Sequence, residues 1–102
     1  MIDASADQIS LICQIIEHYV PICELRVFGS RVSGKAKPWS DLDIVIMGDA
    51  KLNTLTLGSI REALDESDLP FRVDIQDWHG ISKEFQAVIE QRYEAIMIGV
   101  GR

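Results

Sequence analysis

The chain has 102 residues, 47% apolar and 25% charged; it predicts one domain over residues 1–102 that can bury a core. Seven Gly and three Pro exclude a low-complexity or collagen-like chain. Ten Lys and Arg against sixteen Asp and Glu give a net charge of −6, which disfavours direct nucleic-acid binding, because phosphate contacts need a basic footprint.

No apolar run approaches the ~20 residues of a membrane span, so no membrane partner is expected. The acidic start, Met1 to Asp7, lacks the basic region of a signal peptide. Cys13 and Cys23 lie in apolar surroundings without Cys-x-x-Cys spacing. They read as reduced cysteines packed as small hydrophobes, and the expected location is cytoplasmic.

The first element is a helix. Ile9, Ile12, Ile16, Tyr19 and Val20 recur at helical spacing, and Leu11 and Ile15 widen the stripe. Ser5 and Gln8 have the spacing of a capping box, and Pro21 ends the helix. Glu24 to Phe28 alternates polar and apolar residues and predicts a strand that stops at Gly29. Residues 29–40 are irregular and punctuated by turn formers. Leu42 to Met47 is almost wholly apolar and β-branched, as in a central strand covered on both faces.

A second helix is expected from about Thr54 to Glu66, with Leu57, Ile60 and Leu64 on its inner face and Arg61, Glu62, Asp65 and Glu66 facing water. Asp68-Leu69-Pro70 breaks it. Phe71 to Trp78 alternates and predicts a third strand. Ser82 caps a last helix with the stripe Phe85, Val88, Ile89, Tyr93 and Ile96. The tail from Ile98 to Arg102 reads as a frayed helix end or a short strand. The order predicts an α+β (mixed α/β) domain, with helices packed on a small mixed sheet.

The candidate chemistry lies around the first two strands. Asp41 and Asp43 are two apart at the start of a strand, so both point the same way. Like charges held close repel, and burial adds a desolvation cost. A divalent cation relieves both, and Mg2+ takes carboxylate oxygens with waters and substrate phosphates. The alternative is a turn cap at Asp41 and an exposed edge residue at Asp43. Asp74 lies between Val73 and Ile75. It either pairs with Arg72 or Arg26 or serves as a third ligand or a base. Asp77 competes for that role from the opposite face.

Gly29 lets the backbone turn sharply near a ligand. Ser30 adds a hydroxyl and an N–H where a short helix can begin, an arrangement suited to anions. Arg31, Lys35 and Lys37 give the loop three positive charges that can neutralise phosphate. Trp39 beside Pro38 is either a contact or lid over a base, or an anchor of the loop in the core. Trp78 reads as packing, His79 as a surface residue, and His18 as a helix-end residue facing the dipole.

The joint pattern Gly29-Ser30-x10-Asp41-x-Asp43 resembles the signature of the nucleotidyltransferase superfamily that includes DNA polymerase β. The stretch Val27 to Ile44, with Phe71 to Ile75, looks most like the minimal nucleotidyltransferase (MNT) domains, antitoxins to HEPN-domain toxins. The resemblance covers nearly the whole chain. It implies the palm-like fold of that superfamily. It implies Gly29 and Ser30 as nucleotide-binding residues that hold the triphosphate. It also implies Asp41 and Asp43, with Asp74 as the third acid, as catalytic residues and ligands of two Mg2+ ions, with Mn2+ as a substitute. Arg31 as a further nucleotide-binding residue is an extrapolation from its place in the loop.

The reaction implied is attack of an acceptor hydroxyl on the α-phosphate of ATP, releasing pyrophosphate. The acceptor implied is a tyrosine on the HEPN toxin, bound as a hetero-oligomer, which takes AMP and is silenced. Two other functions compete. One is a non-catalytic module that neutralises its HEPN partner by occlusion. The other is an enzyme acting on a small-molecule hydroxyl, which the lack of a second, acceptor-binding domain disfavours.

Overall fold

Ser5 and Gln8 exchange hydrogen bonds: the Gln8 N–H donates to Ser5 Oγ, and the Ser5 N–H donates to Gln8 Oε1. This reciprocal cap satisfies two otherwise unpaired amides. It starts helix α1, Ala6–Tyr19, in the computed structural model, which describes residues 1–99. Strand β1, Cys23–Phe28, and a one-turn helix α2, Ser30–Ser33, follow. Then come β2, Leu42–Met47, helix α3, Thr54–Asp65, and β3, Val73–Asp77. A 3-10 turn over Trp78–Gly80 leads to helix α4, Lys83–Gln91, and strand β4, Glu94–Ile98.

The strands form one mixed sheet in the order β3-β2-β1-β4. β1 runs antiparallel to β2 and β4, while β2 and β3 are parallel. A parallel pair needs a crossover, and α3 supplies it. Leu25 and Val27 of β1, Leu42, Ile44 and Ile46 of β2, and Val73 and Ile75 of β3 share one sheet face. They pack there with Ile12 and Ile16 of α1 and Ile60 and Leu64 of α3. On the opposite face Phe28 and Val45 meet Ile89 and Phe85 of α4. β2 is therefore covered on both faces, as its run of apolar residues around Asp43 requires.

Two expectations need correction. The last helix stops at Gln91; Tyr93 and Ile96 lie beyond it, and Val88 is 59% exposed. The segment after it is β4. β1 has a second edge whose backbone groups need partners, and residues 94–98 supply them. Val100, Gly101 and Arg102 of the tail lie outside the described residues.

Cys13 and Cys23 are free. Burial raises both thiols, Cys23 to about 11, so neither is a ready thiolate. Among the described residues no helix is long and apolar enough to cross a membrane.

Candidate functional site

Three chain segments meet at one end of the sheet: the C-terminal end of β1 and the N-terminal ends of β2 and β3. In register, Asp43 lies opposite Phe28 on one side and Asp74 on the other. Directly paired residues project from the same face, so the Asp43 and Asp74 carboxylates stand side by side. Asp41 is exposed, one residue before β2. Asp43 is half-buried, and its carboxyl is pushed up to about 6. Burial is the largest cause, followed by the charges of Asp74 and Asp41.

No cation compensates this repulsion among the described residues. Arg26, one of the two partners considered for Asp74, hydrogen-bonds Glu24 at 2.7 Å and stacks over Tyr93 and Trp78. Arg72 is exposed and makes no ion pair with Asp74. Asp74 has one distant contact, from Gln76 Nε2 at 3.5 Å. Asp77 is different. It is buried on the opposite sheet face and accepts the Leu52 and His79 N–H groups at 2.7 and 3.1 Å. The geometry thus puts Asp74 beside Asp43 and makes Asp77 a loop cap.

Gly29 is required by this site. Its φ is +80°, and an added Cβ would overlap Asp43 Oδ2. The turn it makes delivers Ser30 to the same sheet end, at the start of α2. A groove of about 470 Å3 runs beside it, lined by Phe28, Gly29, Ser30, Lys35, Phe85 and Arg92. Lys35 is one of the three loop cations read from the sequence. Arg92 is not among the sequence candidates, because the expected helix runs past it. A cation at a helix end is the signal that could have found it.

Arg31 is a correction. Its guanidinium is buried and stacks on Phe71, 4.1 Å from the ring centre. It donates to three carbonyls, of Ser40 at 2.9 Å, Asp3 at 2.8 Å and Pro38 at 3.2 Å. A fork committed in this way staples the N-terminal segment and the 36–40 loop to the domain. It is not presented to a phosphate. A larger cleft, about 700 Å3, opens near Arg31 and the N-terminal segment, and none of Asp41, Asp43 and Asp74 lines it.

Trp39 is 75% exposed, so it does not anchor the loop in the core. Trp78 packs against the second core cluster. His79 is exposed, with a ring nitrogen 2.7 Å from the Gly48 carbonyl oxygen. His18 is exposed in the last turn of α1, edge-on to Tyr19.

Among the described residues, no three His, Cys, Asp or Glu side chains are arranged as a ready metal cage. The donor chemistry nevertheless fits a hard cation: three carboxylates, two of them adjacent, with Asp43 destabilised first by burial and then by its neighbours.

The family model for polymerase β nucleotidyltransferases matches residues 11–98. A protein of Haemophilus influenzae, named probable protein adenylyltransferase MntA, is 39% identical over 95 residues, covering 93% of this chain and 83% of its own. A crystal structure assigned to a nucleotidyltransferase superposes with a TM-score of 0.50 at 20% identity, over 91% of this chain and 99% of its own. At that identity it supports the mixed α+β fold alone.

Proposed function

The chain belongs to the polymerase β family of nucleotidyltransferases, and from that premise we propose that it transfers AMP from ATP to a hydroxyl of a partner protein. The single observation that carries this reading is the register of Asp43 against Asp74 at the sheet end where Gly29 delivers Ser30. The name of the Haemophilus influenzae relative, a protein adenylyltransferase, supports adenylyl transfer and a protein acceptor. The acceptor we infer is a tyrosine of a HEPN-domain toxin, with this chain as the antitoxin. That step rests on the resemblance of the Val27–Ile44 stretch to MNT domains.

Each residue has a role in the reading. Ser30 and its N–H hold the triphosphate, with Lys35 and Arg92 replacing Arg31 as the flanking cations. Asp41, Asp43 and Asp74 would hold Mg2+, two ions in the family pattern, which when bound supply charge stabilisation to the attacking and leaving oxygens. Asp74 lies at the β3 side, away from Ser30, and accepts the proton of the acceptor hydroxyl. That oxygen bonds to the α-phosphorus, the bond from the α-phosphorus to the bridging oxygen breaks, and pyrophosphate leaves. The chain supplies position and charge rather than a covalent intermediate.

The test uses purified protein, Mg2+, the product of the neighbouring gene, and ATP labelled at the α- or the γ-position. Label entering the partner only from the α-position, and lost with Asp43→Asn, is the expected result. Label from the γ-position means phosphoryl transfer and overturns the mechanism. No label from either, with a stable complex, means neutralisation by occlusion.

A further inference from the structure

The groove beside Ser30 has two unlike walls. One is polar and cationic: Ser30 and Ser33 of α2, with Lys35 just after it. The other belongs to α4 and is apolar: Phe85 and Val88, with the buried Phe28 of β1 beside them. Phe28 and Phe85 meet edge to face, 5.7 Å between ring centres. Phe28 pairs with Asp43 across the ladder, so both project from one sheet face, and the groove adjoins the carboxylates there.

Two side chains of this groove serve nothing else in the fold. Val88 is 59% exposed; it lines the groove and contributes little to the core. Gln91 ends α4 one turn later and lines the same groove. Among the described residues, the side chains of Gln8, Gln14, Gln76 and Gln86 each hydrogen-bond a protein group, and that of Gln91 bonds none. A triphosphate suits the α2 wall but not the α4 wall, where apolar carbon would strip water from its charge. A nucleobase suits the α4 wall: a flat ring buries against Phe85 and Val88, and one amide at the rim fixes its orientation.

We propose that the α4 wall seats the base of the donor nucleotide, and that Gln91 selects adenine. This assignment rests on the nucleotidyl-transfer reading and extends it from the phosphates to the base. The amide matches adenine: Oε1 accepts from the exocyclic N6, and Nε2 donates to N7. Guanine presents two acceptors there, O6 and N7, and leaves the Gln91 carbonyl facing a lone pair. A pyrimidine has no N7, and its smaller ring covers less of the apolar wall.

The experiment measures calorimetric binding, with Mg2+ and no acceptor, of α,β-methylene ATP, α,β-methylene GTP and inorganic tripolyphosphate. The proteins are wild type, Gln91→Ala, Gln91→Arg and Val88→Ser. Wild type is expected to favour the ATP analogue over the GTP analogue at least ~10-fold. Gln91→Ala removes that preference, and Gln91→Arg, whose fork matches O6 and N7, reverses it. Val88→Ser weakens both analogues ~3–10-fold and leaves tripolyphosphate unchanged, because only a base touches that wall. A base preference that survives Gln91→Ala, or tripolyphosphate weakened by Val88→Ser as much as the analogues are, overturns the seat and leaves the transfer reading standing. A preference that depends on Gln91 supports the seat even where the labelled-transfer test fails. No binding of either analogue to wild type overturns both.

Discussion

Arg31 and Asp43 stand at the two ends of one loop, and both carry a charge out of bulk water. Arg31 is fully provided for: three carbonyls accept from its fork and Phe71 covers its plane. Asp43 has the opposite surroundings, with two further carboxylates near it and, among the described residues, no cation. A buried charge that is satisfied reads as architecture, and one held against repulsion reads as function. The same contrast separates Asp77 from Asp74, three residues apart on one strand: two backbone N–H groups cap the first, while the second has only a distant amide.

The largest expected effect tests the repelled group. Asp74→Asn should lower AMP transfer by at least ~100-fold while leaving stability within about 0.5 kcal/mol. Labelled-transfer kinetics and chemical denaturation together check this. A stability loss without an activity loss would reverse the contrast with Asp77. Next is Arg31→Ala, which leaves three carbonyls without their donor. It should cost roughly 3 kcal/mol and lower Tm by more than about 10 °C. Arg31→Lys should recover only part of this, because an ammonium lacks the fork.

Gly29→Ala combines a left-handed backbone with an overlap on the Asp43 carboxylate and should cost about 2 kcal/mol, read by urea denaturation. Asp77→Asn is the mildest. It keeps one acceptor and loses the other, at about 1–2 kcal/mol, with transfer kinetics preserved.

Much of this site was legible in the sequence. Leu42 to Met47 reads as the central strand because it is apolar on both faces, and it is one. Two-residue alternation placed Asp77 opposite Asp74 before any register was known. Pairing between strands is a different matter. That Asp74, and not a neighbour, falls opposite Asp43 depends on the α3 crossover, which periodicity does not encode. β4 escapes a reading by periodicity for a related reason. Tyr93 and Ile96 continue the stripe of α4, Glu94, Ala95 and Met97 between and beyond them are good helix formers, and neither Gly nor Pro marks its end. Tertiary pairing with β1 overrides that propensity. The place of Arg31 is not legible either, because the direction of a side chain on a one-turn helix follows from packing on Phe71, which lies 40 residues away in the chain.

Asp43 offers the most direct test of the idea that this end of the sheet trades stability for chemistry. Its ordinary carboxyl value of 3.8 rises to about 6 on folding. The folded state then binds more protons than the unfolded one between those values. Stability is therefore lost as pH rises through that window, and the cost is complete above it. The shift corresponds to about 3 kcal/mol at most, and to about 1–2 kcal/mol after solvent screening of a half-buried group. The measurement is the Tm of wild type and Asp43→Asn across pH 4 to 8 without divalent cations. The expected result is a variant more stable than wild type above about pH 6, by roughly 4–16 °C, with the two converging near pH 4. A variant equally or less stable at high pH would contradict the view that Asp43 is held in place against burial and repulsion.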